Sequence, residues 1–338
     1  MTRLLACAAA CSVLLASAAS FAQQTTVSQG ATVVAPALLG TTVAAPTADA
    51  AADGDMLDGA VIETIRLGAL DLVGRHVRPA GVGPTTFLIV HDTLGAYGDP
   101  LIVRVQTAFA KRGFASLAVN LSLGETGRMV PFECNQPHRH RHEDALNEID
   151  AWLDWLLGQG LGPIVLAGHG RGGAQVAWHL ATRAKSRAAA GVLLAPSGWT
   201  PRQADAEYRA RYAAGLSALL TRIAGAKPDD LIEGVPFLHC GAASATQATI
   251  KSYYGVQPMR DTPTALAQDR IPTIVLLPDA STAAAEDKTF ERFAMLTNPE
   301  IVVRTIDGSD SQFSGDAAFD AMMDAIDAYL RSIFPESR

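Results

Sequence analysis

The chain is poor in cysteine and aromatic residues and carries no excess of positive charge. Four cysteines in 338 residues exclude a disulfide-dense scaffold. Basic side chains number 27 against 34 acidic ones, a net charge of −7. Nucleic acid is therefore a poor candidate partner, because phosphate binding needs a clustered basic face. No apolar run reaches the roughly 20 residues of a spanning helix, and no internal repeat is visible. Aromatics make up only 6% of the chain while Ala is abundant and concentrated near the N-terminus, so part of the 49% hydrophobic content is not core. With 18% charged residues the remaining composition suits one large α/β domain, not a disordered or collagen-like chain.

Residues 1–22 read as a secretory signal. Arg3 supplies the positive end, Leu4 to Ala18 is a short apolar stretch, and Ser20-Phe21-Ala22 offers small residues for a cut after Ala22. A periplasmic or secreted location follows, with no membrane span in the mature chain. Residues 23–55 are rich in Ala, Thr and Val, broken by Pro36 and Pro46, and read as a flexible tether. Beyond the signal two cysteines remain, Cys134 and Cys240. In an oxidising compartment they either pair or stay as two half-buried thiols.

From Met56 the pattern alternates. Strands are expected at 60–67, 87–90, 115–121, 163–167, 191–194, 271–277 and 301–306. Helices are expected at 101–112, 143–157, after Gly173 to Ala184, near 286–296 and at 317–333. Strands separated by helical patterns argue for a mostly parallel sheet covered on both faces. Residues 198–265 break the rhythm. There Arg202 to Ile223 reads as one long amphipathic helix, and the stretch is expected to be a small helical cap inserted in a domain spanning 56–338.

Between a strand and a helix stands Gly168-His169-Gly170-Arg171-Gly172-Gly173, the context of a nucleophile elbow, where a strained turn exposes the central side chain above the sheet. With Val90-His91-Asp92, which looks like an oxyanion loop, and with the order of elements, the chain resembles the α/β-hydrolase superfamily over nearly all of residues 60–335. Within it the chain looks most like exported, uncharacterised hydrolase-like proteins. The resemblance implies an α/β-hydrolase fold and a carboxylic-ester hydrolase. The decisive atoms are missing, however. The nucleophile position is Gly170, which has no side chain to form an acyl-enzyme. The family's histidine would fall in Asp307-Gly308-Ser309-Asp310-Ser311-Gln312-Phe313, at Ser311 or Gln312. The acid would fall near Asp279 or Ser281.

What survives is backbone. The amide of Arg171 and one of Asp92 or Thr93 would point into the pocket at a helix N-terminus, with His91 and His169 beside it, a geometry suited to an anion; the alternative is an empty relic. Arg171 could hold an anion or join a surface ion pair. His138, His140 and His142 alternate before Glu143 and could present imidazoles to a metal, or form a polar loop leading into a helix. A His239–Cys240 dyad is not expected, because neighbours in extended chain point to opposite faces. No cofactor is called for, and no protein partner can be named. Three functions remain open: a non-catalytic protein binding a small, anionic ligand or a partner; a hydrolase using displaced Cys or His or a metal-bound water; and a scaffold whose pocket is filled by side chains.

Overall fold

The computed structural model describes residues 59–334 except 82, 184–186 and 280–288. The expected signal and the whole of the tether lie outside the described residues, as does Ser281. Eight strands form one sheet: β1 (Ala60–Leu67), β2 (Leu70–Val77), β3 (Thr86–Val90), β4 (Ala115–Asn120), β5 (Ile164–His169), β6 (Ala188–Leu194), β9 (Thr273–Leu277) and β10 (Ile301–Thr305), in the order β1-β2-β4-β3-β5-β6-β9-β10. Only the pairings of β2 are antiparallel; the rest are parallel. Strands β3, β4, β5 and β9 are buried throughout, as continuous apolar runs between two helical layers must be.

Helices α1 (Pro100–Lys111) and α9 (Asp316–Ile333) cover one face, meeting Phe87, Ile89 and Val165. Helices α2 (Asp144–Gly158) and α3 (Gly170–Thr182) cover the other, with Trp152, Leu153 and Val176 against Leu88, Val90 and Leu166. The expected helices and strands outside residues 198–265 are present with ends shifted by a few residues, and β2 is an addition. Its outer flank is paired with the edge strand β1, whose positions are partly buried or exposed.

The segment between β6 and β9 differs from expectation. The long helix is two, α4 (Pro201–Tyr212) and α5 (Leu216–Ile223), because Ala213 takes a left-handed φ of 52° and ends α4. The stretch is also not all helical. Strands β7 (Leu231–Phe237) and β8 (Cys240–Thr246) form an antiparallel hairpin, followed by α6 (Gln247–Tyr254), a 3₁₀ turn at 258–260 and α7 (Thr262–Leu266). The hairpin is joined to the loop after β4. His138 donates its amide to Ser244 and accepts from Thr246, and Cys134 is disulfide-bonded to Cys240 across 106 residues. The two cysteines thus pair. A short helix, α8 (Thr289–Ala294), precedes β10.

Candidate functional site

Strand β5 runs into α3 through the elbow, and glycine is required there by contact. A Cβ on Gly172 would lie 2.2 Å from the carbonyl oxygen of His91, so the first turn of α3 can press against the end of β3 only without a side chain. That approach brings Asp92, just beyond β3, over the elbow. Gly170 has a φ of +53°, and a Cβ built on it would sit 2.3 Å from both Cγ and Oδ1 of Asp92. The carboxylate of Asp92 therefore fills the space in which a nucleophile's side chain would stand. Its Oδ1 accepts the Arg171 amide at 2.7 Å and the Thr93 hydroxyl at 3.1 Å. Burial pushes this carboxyl up, but His169 and the amides of Arg171 and Thr93 outweigh it and hold the group below the usual carboxylate range.

The elbow amide expected to receive an anionic ligand is thus occupied by the chain's own anion. A second carboxylate placed there would meet a like charge and find no free donor. The anion pocket read from backbone amides is corrected in this respect.

His91 is not a pocket residue. Its ring lies beneath the floor, where Nδ1 donates to the Asp92 carbonyl at 2.7 Å and Nε2 accepts from the Leu121 amide and from Arg128 at 2.9 Å. Burial, then the Arg128 charge, pushes its pKa down to about 3. A neutral ring with both nitrogens engaged is a structural strut, not a base. His169 is also turned away: Nε2 donates to the Ser311 carbonyl at 2.8 Å, bracing the loop after β10 against the elbow. Asp279, past the end of β9, accepts the Gly308 amide at 2.9 Å and donates its own amide to Ser309. Gly170, Asp279 and Ser311 therefore gather at one sheet edge as the topology requires; Gly170 has no side chain, and Ser311 stands where a histidine would be expected.

A cavity of about 770 Å³ opens above this floor, a volume ordinary for a small-molecule site. Asp92, Thr93, Arg171 and Ser311 lie at its base, and Trp199, Tyr208, Tyr212, Tyr253, Tyr254 and Phe290 line its sides. The expectation of a pocket filled by side chains is thereby overturned. Arg171 donates through Nε to Thr93 Oγ1 at 2.9 Å and lies 5.4 Å from the Tyr253 ring centre. It faces the cavity rather than joining a surface ion pair.

The three alternating histidines are all buried, so they are not a solvated polar loop. They also do not converge on a metal. His138 Nδ1 and His140 Nε2 are 3.3 Å apart, His140 Nδ1 meets the Tyr253 hydroxyl at 3.0 Å, and His142 stacks on Trp178. Burial pushes His138 down to about 4 and His140 to about 3, and holds His142 well below the usual histidine range. Among the described residues the one group of three or more ligand types within 4.8 Å is Cys134, His239 and Cys240, and both sulfurs there are consumed by the disulfide. Among the described residues the same bond leaves no free thiol as a nucleophile.

His239 is the residue that sequence reasoning placed wrongly. Leu238 has a φ of +55° and Phe237 pairs with Cys240, so His239 stands in a tight turn where alternation between faces does not hold. It lines the cavity. Asp92 was expected to contribute only an amide. The available signal was the glycine at 170: a vacated space must be filled, and Asp92 is the acid beside it.

No family model and no curated protein matches the chain. Solved structures do. Est1E from Butyrivibrio proteoclasticus is 16% identical with a TM-score of 0.57, covering 81% of this chain and 99% of its own. A soluble variant of monoglyceride lipase from Saccharomyces cerevisiae is 12% identical at a TM-score of 0.57, over 81% and 96%. The alpha/beta hydrolase GrgF from Penicillium sp. sh18 is 16% identical at 0.55, over 82% and 99%.

This is the α/β-hydrolase fold. In its frame β3, β5, β9 and β10 end at the edge that hosts chemistry, and the segment 198–265 overlies that edge. Identity this low establishes the fold alone. No helix of the described residues is long and apolar enough to cross a membrane.

Proposed function

We propose that the chain is an exported α/β-hydrolase-fold protein with a degenerate catalytic triad, which binds a small molecule in its cavity and does not turn over esters. One observation carries this reading. The side chain over the elbow is the carboxylate of Asp92, held on the Arg171 amide, where acyl transfer needs a nucleophile and an empty oxyanion site. The absence of a base at Ser311 and the engagement of His91 and His169 by other partners support it further. Export is supported by the signal-like N-terminus and by the Cys134–Cys240 bond, since disulfides persist in oxidising compartments.

A panel of p-nitrophenyl acyl esters tests the reading. The expected result is no turnover above buffer for the purified protein. Hydrolysis that survives purification and is abolished by Asp92→Ala would overturn it.

A further inference from the structure

The cavity's charged residues differ in one respect. Glu207 accepts from Gln203, Arg211 donates to the Leu238 carbonyl, and Asp310 accepts from Ser314 and the Gln312 amide. All three are exposed. Two charged groups at the base are half-buried. Asp92 uses Oδ1 for Arg171 and Thr93, and its Oδ2 has no hydrogen-bond partner among the described residues. Arg171 uses only Nε; its two terminal nitrogens have none there either. Both residues line the cavity. The guanidinium is turned toward Thr93 and the Tyr253 ring, so the two charges lie side by side without forming an ion pair with each other.

An ionised oxygen seeks a cationic donor, and a guanidinium's terminal nitrogens seek a carboxylate. Above them stand four of the chain's six tyrosines, Tyr208, Tyr212, Tyr253 and Tyr254, with Trp199 and Phe290. The hydroxyls all bond the protein: Tyr208 donates to the Pro236 carbonyl, Tyr212 to the Leu238 carbonyl, Tyr253 meets His140, and Tyr254 accepts the Leu238 amide. Tyr208, Tyr253 and Trp199 are buried, so the rings that offer surface to a ligand are Tyr212, Tyr254 and Phe290. Concentrating rings in one cavity of an aromatic-poor chain suits an aromatic guest, and tyrosine faces add attraction for an ammonium.

Resting on the reading of the cavity as a small-molecule site, we infer that its ligand is a zwitterionic aromatic compound, of the size class of an aromatic amino acid or a dipeptide. Its ammonium sits on Asp92 Oδ2 and its carboxylate on the Arg171 guanidinium, with its ring against the tyrosine wall. This replaces an anion on the elbow amides with an anion on a side chain, and adds the cation that Asp92 demands.

Calorimetric titration of the full mature chain with four probes tests it: L-phenylalanyl-L-phenylalanine or L-phenylalanine, 2-phenylethylamine, 3-phenylpropionate and benzyl alcohol. The zwitterions are expected to bind at least about tenfold tighter than either singly charged probe. Asp92→Asn should weaken ammonium-bearing probes about tenfold and leave 3-phenylpropionate unchanged or improved. Arg171→Gln should do the converse, and it provides the same discrimination if the Asp92 variant fails to fold. Equal or tighter binding of 3-phenylpropionate than of the zwitterions overturns the inference, as does a substitution that weakens all probes alike. Binding of benzyl alcohol as tight as that of the charged probes defeats the charge assignment while leaving the cavity as a ligand site. Failure of every probe to bind defeats both.

Discussion

The cavity has two sides built on different principles. Its floor belongs to the sheet. Backbone places it: the glycines at 168–173 let α3 approach β3, and Gly170 keeps a left-handed φ even though no nucleophile is held there. Its upper wall belongs to residues 199–254, where side chains do the placing. The hydroxyls of Tyr208, Tyr212 and Tyr254 bind α4 and α6 to the turn at Pro236–Leu238, and Cys240 anchors that hairpin to Cys134. The difference teaches that a floor fixed by close backbone contact restricts which residues can stand there, whereas a surface made of side chains can be rebuilt without touching the sheet.

The sharpest way to break the contrast is to cut the wall's covalent anchor. Replacing Cys134 and Cys240 together by Ser removes a crosslink over 106 residues, which the chain-entropy model values at about 4–5 kcal/mol. Urea denaturation should show a loss of that order, and limited proteolysis should cleave near the hairpin first. A variant as stable as the parent would show that the anchor is dispensable.

Acid should strike both sides through their buried histidines. His91 under the floor, and His138 and His140 under the wall, are neutral in the fold, with pKa values of about 3, about 4 and about 3. In the unfolded chain they bind protons near pH 6.5. Their contribution is therefore complete above about pH 6.5 and is withdrawn as pH falls toward the folded values. For His138 alone this is roughly 3 kcal/mol. Glu148 works against this. Burial raises its carboxyl to about 7, so it favours the fold below that pH and loses the contribution as pH rises through it. Three histidines outnumber one glutamate, and Tm should fall between pH 6.5 and 4. A flat or rising Tm across that window would contradict the arrangement.

At the floor, Gly170→Ser would set a Cβ 2.3 Å from the Asp92 carboxylate at a φ of +53°. The carboxylate must then leave the Arg171 amide, and the left-handed residue adds strain, together on the order of 1–3 kcal/mol. The expected outcome is a less stable protein with no ester hydrolysis, because no base replaces Ser311. Gain of turnover would mean that the floor is nearer to an active site than its hydrogen bonds indicate. Asp92→Ala in the same background should return part of the stability by removing the clash.

The floor was largely legible in the sequence and the wall was not, for a physical reason. Strand periodicity, the run Gly168 to Gly173, and the loops after β9 and β10 announce the sheet edge, because backbone contact restricts which residues can stand there. The expected positions Gly170, Asp279 and Ser311 could be located from these marks alone. The tyrosines carried no such mark. Tyr208 and Tyr212 read as the stripe of one long helix, which Ala213 in fact ends, and the β7–β8 pairing depends on contacts with the 121–143 loop that local pattern does not encode. Asp92 fell between: its position was visible, but the direction of its side chain followed from the space left by Gly170, about eighty residues away in the chain.

The finest probe of the wall is a single hydroxyl. Tyr212 donates to the Leu238 carbonyl at 2.7 Å, and the same oxygen accepts from Arg211 at 2.6 Å. Tyr212→Phe removes one of two donors and leaves the ring in the cavity, so the carbonyl stays satisfied. The expected loss is therefore at the low end for a hydrogen bond, about 0.5–1 kcal/mol. Tyr254→Phe removes the only acceptor for the Leu238 amide, which leaves a buried donor unpaired and should cost more, roughly 1–3 kcal/mol. The ordering of the two variants in urea denaturation is the informative quantity. If Tyr254→Phe is the larger, the turn that presents His239 to the cavity is held by backbone satisfaction, as the floor is. If Tyr212→Phe is the larger, its hydroxyl, set between the Leu238 and Cys240 carbonyls, governs instead, and the division between a backbone-built floor and a side-chain-built wall stands in its stronger form.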